Sequence, residues 1–160
     1  MRTHGLYQTT NFLLKAARHG VRYDVSLFMP GVANLAPHRF AFHQDALTRV
    51  PYYWEDLHEM ASATPDWSLE RWQDGTPGVK IFNFHPIHIV LNSSTVFPYT
   101  QAKDIGPLES LSQEHVLRLR NTKKGAGSLF QALVHAMRGN GATIREICSG
   151  SMGEEACAAL

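Results

Sequence analysis

Cysteine, long apolar runs and an excess of charge of either sign are all scarce in this sequence. Cys148 and Cys157 are the only cysteines in 160 residues. Both lie near the C-terminus without a metal-type spacing, so free thiols are expected rather than a disulfide framework. No apolar stretch approaches the roughly 20 residues of a membrane span, and the N-terminus lacks the basic-then-apolar layout of a secretion signal. The cytoplasm is therefore the expected location. Lys and Arg number 15 against 14 Asp and Glu, a formal net charge of +1. The densest basic group, Arg118, Arg120, Lys123 and Lys124, is too short to track a phosphate backbone, and no nucleic-acid partner is expected.

What is present is ordinary for a globular protein: 44% hydrophobic and 18% charged residues, enough to argue against disorder. One domain over residues 1–148 with a flexible tail at 149–160 is expected. Thr9 and Thr10 are candidate N-caps for a helix to Arg18, with Gly20 as its stop. Strands are expected over Val21 to Phe28, Ala46 to Val50, Val79 to Phe84 and Thr143 to Ile147. Helices are expected over Trp54 to Ala61, over Trp67 to Gln73 behind an Asp66 N-cap, within Leu108 to Arg120, and over Ser128 to Arg138. Residues 31–46 and the stretch from Asn92 to Pro107 read as loops. Alternating helices and short strands indicate an α/β architecture with a mostly parallel sheet.

Nine histidines are more than such a chain needs. His19, His38, His58, His115 and His135 lie at a helix end or among polar neighbours, leaving His4, His43, His85 and His88. His85 follows the apolar run Val79 to Phe84 and precedes Pro86, whose fixed φ stops the strand and holds the histidine at its end. In α/β proteins ligands collect beyond the carboxyl ends of strands, and a histidine there can protonate a leaving group. The same residue could instead bond only backbone at a strand end.

In Arg49-Val50-Pro51-Tyr52-Tyr53-Trp54-Glu55-Asp56, the arginine offers a planar fork able to orient a buried carboxylate, and the aromatic faces suit the apolar side of a sugar ring. Tyr53 and Trp54 could equally be core aromatics, and Glu55 and Asp56 could serve the first turn of a helix. His4 lies before the first helix, where a metal or an anion could face it. Asp24 could supply an oxygen ligand or hold a histidine in its tautomer. Spacing alone does not make these a metal motif, because Gln8 stands four positions after His4.

The segments Arg2-Thr3-His4-Gly5-Leu6-Tyr7-Gln8-Thr9-Thr10, Tyr23-Asp24-Val25-Ser26-Leu27-Phe28, Arg49-Val50-Pro51-Tyr52 and Phe84-His85-Pro86 occur in an order that resembles the polysaccharide deacetylase superfamily, the NodB-homology carbohydrate esterases. The likeness is to the branch associated with O-antigen and surface-polysaccharide synthesis. The resemblance implies a partial distorted (β/α) barrel and metal-dependent removal of acetyl from an N-acetylated sugar or polysaccharide precursor, with zinc or a similar divalent ion. It implies His4 as a metal ligand, Arg49 as the arginine that orients the base, Tyr52 as a pocket-wall residue and His85 as general acid; beside it, the residues themselves offer Asp24 as a further metal ligand and Tyr53, Trp54 and His88 as substrate contacts. The family's adjacent aspartate pair is absent from this chain, and its second metal histidine corresponds to Gln8. A fragment with weak or no activity alone is expected, with His43 or Gln8 as candidate replacement ligands and self-association through unpaired barrel edges. The alternative of another class is a non-catalytic carbohydrate-binding remnant of the same fold.

Overall fold

The computed structural model describes residues 1–72 and 75–150. They form a mixed α/β arrangement that packs as two compact units. The first holds residues 1–54, 75–82 and the chain from Asn140; the second holds the segment that begins at Glu55 and residues 83–139.

In the first unit, helix α1 (Thr10–Arg18) starts where the Thr9 hydroxyl accepts the Phe12 N–H at 3.2 Å. It buries Leu13 and Leu14 and stops at His19 and Gly20, whose φ of +81° is costless only for glycine. Three strands follow: β1 (Tyr23–Asp24), β2 (His38–Phe42) and β3 (Asp45–Arg49). Their order is β1-β3-β2. β1 runs parallel to β3 with Asp24 opposite Arg49, and β2 runs antiparallel to β3 with Phe42 opposite Asp45. Residues 1–3 lie along β1: the Met1 ammonium donates to the Tyr23 carbonyl, and Val25 N–H donates to the Met1 carbonyl at 2.9 Å. Leu47, Val50 and Tyr52 form a buried line through this unit.

β4 (Trp54–Glu55) pairs with β5 (Phe82–Asn83). The second unit continues with α2 (Asp56–Met60), α3 (Pro86–Val90), α4 (Phe97–Ile105), α5 (Gln113–Leu119) and α6 (Ala126–Ala136). Two residues beyond α3, Asn92 sits at φ +47°. Its amide donates to the Asn121 and Lys123 carbonyls at 2.9 and 2.7 Å and accepts Ser128 N–H at 2.9 Å. Gly125 and Gly127 let α6 come this close, since a Cβ on either would overlap the carbonyl of Asn92 or of Ile89. α7 (Ile144–Ser149), capped by Thr143, belongs to the first unit.

Several expectations are corrected here. The first strand shrinks to Tyr23–Asp24, Phe28 adding only an isolated bridge to Tyr52. Residues 31–46 are not a loop: they contain β2 and the two-residue turn His43-Gln44. Trp54 and Glu55 are strand, so α2 starts at Asp56. Asp66 accepts the Ser68 N–H and hydroxyl, but only a short 3₁₀ turn, Glu70–Trp72, follows. Gln73 and Asp74 lie outside the described residues. The stretch after Asn92 contains α4, begun by Phe97-Pro98, where proline is suited to the first helical turn. Thr143 to Ile147 is a helix rather than a strand, because Thr143 and Glu146 form a capping box. The sheet of the first unit is therefore mixed, not mostly parallel. Of the expected tail, residues 151–160 and with them Cys157 lie outside the description; Cys148 is free. No helix among the described residues is long and apolar enough to cross a membrane.

Candidate active site

Two polar clusters carry the candidate residues, one in each unit. In the first, parallel registry sets Asp24 beside Arg49. The Asp24 side chain is completely buried. Its Oδ1 accepts the Ser26 N–H at 3.2 Å and the Ser26 hydroxyl at 2.7 Å, and its Oδ2 accepts Arg49 Nε at 3.0 Å. A second guanidinium nitrogen donates to Gln8 Oε1, and Gln8 Nε2 reaches the Ser26 carbonyl at 3.5 Å. Thr3 N–H donates to Ser26 Oγ at 2.9 Å. Arg49 thus holds a buried carboxylate, as its chemistry suggests, and the carboxylate is Asp24.

His4 lies in the 3₁₀ turn His4–Leu6 and is exposed. His43 is exposed at the hairpin turn, its ring edge against Phe42. Among the described residues no three His, Cys, Asp or Glu side chains converge in a way that could hold a metal ion. Both Asp24 oxygens are already hydrogen-bonded, and Gln8 is engaged with Arg49 and Ser26. As they stand, these residues do not fit a protein-held divalent ion.

Tyr52 is 1% exposed, stacks on Phe28 at 4.7 Å and lies under the Arg2 guanidinium at 5.0 Å. Tyr53 and Trp54 are buried and pack against Phe82. Protein neighbours cover these rings, which gives them a core role.

The second cluster lies at the start of α2 and α3. Pro86 at the first position of α3 leaves His85 as its N-cap in extended backbone. There the buried Asp56 carboxylate takes hold of His85 twice. Oδ2 accepts the His85 N–H at 2.7 Å, and Oδ1 lies 2.6 Å from the ring Nδ1. An ionised carboxylate accepts only, so the Nδ1 it faces carries a proton. The other nitrogen, Nε2, is 3.8 Å from Glu55 Oε1, and that oxygen accepts Asn83 Nδ2 at 3.1 Å. The His85 side chain stays 37% exposed, against none for Asp56, so the ring is reachable while its anchor is not.

His88 packs its ring at 5.9 Å from His85 and 5.5 Å from Tyr99. It is 2% exposed, and its Nδ1 has no hydrogen-bond partner among the described residues. Burial pushes its pKa below the ordinary histidine value, with the nearby His85 acting in the same sense and Asp56 against. A neutral imidazole here avoids placing a charge in a buried site.

The sequence pointed to His85 but not to its partner. Asp56 was visible only as an acid after an apolar run and carried a capping role; its reach to a residue 29 positions on has no local signature. Gln8 as a partner of Arg49 was missed for the same reason.

A crystal structure of a protein assigned as a polysaccharide deacetylase of O-antigen biosynthesis in Bordetella bronchiseptica superposes with a TM-score of 0.62 at 27% identity. The match covers 84% of this chain and 54% of that one, so the chain spans about half the length of that protein. No curated protein matches. The sequence profile of the WbmS-like polysaccharide deacetylases matches residues 1–103, well over half of the 160 residues, and the chain belongs to that family.

Proposed function

We propose that the chain is the part of a sugar N-deacetylase that supplies the proton to the leaving amine, with His85 as general acid and Asp56 as the residue that holds it. The observation that carries this reading is the double grip of the buried Asp56 carboxylate on the His85 backbone and Nδ1. It fixes the ring so that Nε2 is the nitrogen left to act. In hydrolysis of an acetamide, a water oxygen bonds to the acetyl carbon, the C–N bond breaks, and the Nε2 proton passes to the departing nitrogen; of the two protons the water gives up as acetate forms, one completes the ammonium and the other, through solvent, restores Nε2. Asp56 balances the imidazolium before transfer and keeps the proton on Nδ1 afterwards, which leaves Nε2 ready for the next cycle.

Arg49 keeps its proposed role of orienting a carboxylate, and the one it holds is Asp24. Sugar contact by Tyr52, Tyr53 or Trp54 would use only the small part of each ring left exposed. The family is generally metal-dependent, and a zinc-type ion bound through His4 and Asp24 would use the acceptor site on Asp24 Oδ2 that Arg49 does not fill. An N-acetylated sugar or polysaccharide precursor as substrate, a cytoplasmic setting and self-association through strand edges belong to the same proposal.

A second reading, a carbohydrate-binding remnant without catalysis, is favoured by the lack of three converging metal-ligating side chains among the described residues. Acetate release from N-acetylglucosamine oligomers separates the two. Turnover by the chain that falls by ~100-fold or more in His85→Gln supports the acid. Sugar binding without acetate release supports the remnant. A calorimetric zinc titration beside His4→Ala addresses the metal: stoichiometric binding lost in the variant would place a ligand at His4.

A further inference from the structure

We infer that Glu55 is a specificity-determining residue that accepts the N–H of the scissile acetamide, so that the site selects N-acetylated over O-acetylated sugars. This deepens the reading of His85 as proton donor and rests on it. Asp56 occupies Nδ1, so chemistry falls to Nε2, and Glu55 Oε1 stands 3.8 Å from that atom. The separation is too long for a hydrogen bond between them, which needs about 3.2 Å or less. It suits a third atom placed about 2.9 Å from each.

An amide nitrogen meets both demands of that place. It takes the proton from Nε2 as the C–N bond breaks, and it has an N–H of its own to give to the carboxylate. An ester oxygen has only lone pairs, which would face those of Glu55 without a donor between them. As the nitrogen becomes an ammonium, positive charge develops beside Glu55, so the contact strengthens along the reaction, where it aids catalysis.

Glu55 is built to hold this position. Its side chain is only 12% exposed, it leaves β4 next to the strand that carries Asn83, and the Asn83 amide fixes Oε1 at 3.1 Å. Being adjacent to Asp56 in sequence, it puts a second carboxylate at the opposite ring nitrogen of the same histidine.

The test is titration of the full chain with N-acetylglucosamine and with 2-O-acetylglucose, followed by the ¹H and ¹⁵N signals of the His85 ring, in wild type and Glu55→Gln. Gln keeps an oxygen for Asn83 and removes the charge. The wild type is expected to prefer the N-acetyl sugar by about tenfold, and Glu55→Gln to bring the two affinities within about threefold, the scale of a lost charge-assisted hydrogen bond. Asn83→Ala, which frees Glu55 without discharging it, should reduce the preference partway and serves if Glu55→Gln fails to fold. Equal affinities in the wild type, or a preference that survives both variants, would overturn the role of Glu55 while leaving His85 as the acid. If neither sugar moves the His85 signals in any protein, the reading of His85 falls as well.

Discussion

Replacing Asp56 by asparagine tests the grip on His85 most directly, because the two side chains differ by one atom and one charge. Three donors point at the carboxylate: the His85 N–H at 2.7 Å, His85 Nδ1 at 2.6 Å and the Leu57 N–H at 2.8 Å. An amide offers one acceptor oxygen and one donor group. If the NH₂ replaced Oδ2 it would face the His85 backbone N–H, which cannot change its role. If it replaces Oδ1, the ring can move its proton to Nε2 and let Nδ1 accept, so that only Leu57 N–H loses its partner. Each arrangement leaves one backbone N–H without its partner; the second is expected, because Leu57 is exposed in the first turn of α2, where water can take up its N–H. Losing charge assistance on two bonds costs about 1 kcal/mol each, and one orphaned N–H costs about 1–3 kcal/mol. Release of a fully buried charge offsets part of this, for a net loss of about 2–4 kcal/mol. Urea unfolding should report that loss, and ¹⁵N imidazole shifts should show a neutral His85 protonated on Nε2, the wrong tautomer for Asp56 to hold. Stability unchanged within about 0.5 kcal/mol, with Nδ1 still protonated, would refute the reasoning.

Other perturbations act on separate parts of the molecule. Arg49→Met strands the Asp24 carboxylate without its cation and should cost about 3–5 kcal/mol in denaturant unfolding, with Arg49→Lys recovering only part because an ammonium lacks the fork that also reaches Gln8. His88 has its pKa lowered by burial from 6.5, so between the lowered value and 6.5 the unfolded chain binds more protons than the folded one. Stability contributed by neutral His88 is therefore complete above 6.5 and falls as pH drops through that window, by at most about 1.4 kcal/mol per pH unit; in melts across pH 5–7, His88→Phe should flatten this part of the slope. Gly127→Ala drives a methyl into the Ile89 carbonyl and should lower the melting temperature more than Gly141→Ala, where a Cβ meets nothing.

Elements with a local cause were legible in the sequence. α1 was located over the residues it occupies because Thr9, the pair Leu13 and Leu14, and Gly20 each act within one or two turns. α6 was recognised from its apolar stripe, with its start displaced by two residues, since Gly125 and Ser128 share the capping bonds. The hairpin of β2 and β3 escaped because β2 is largely exposed, with the pattern of a strand that has no buried face to repeat every second residue. Thr143 to Ile147 was misassigned because its β-branched residues resemble a strand, while the bond that decides the matter runs from Thr143 to Glu146.

The site shows the same division between local and distant causes, sharpened by charge. A buried carboxylate is stable only with donors around it, and the sequence displays carboxylates without displaying their donors. Asp24 and Arg49 lie on neighbouring parallel strands, and their pairing follows from registry, which no short window contains. Glu55 and Asp56 are neighbours read together as helix-start acids, yet they end on opposite nitrogens of one imidazole. The change from strand to helix between them turns the two side chains toward the same ring, where a continuous strand would send them to opposite faces. The chemistry assigned to His85 therefore depends on where β4 ends. A substitution that extended α2 by one residue at its start would disturb the site without touching any of its polar atoms.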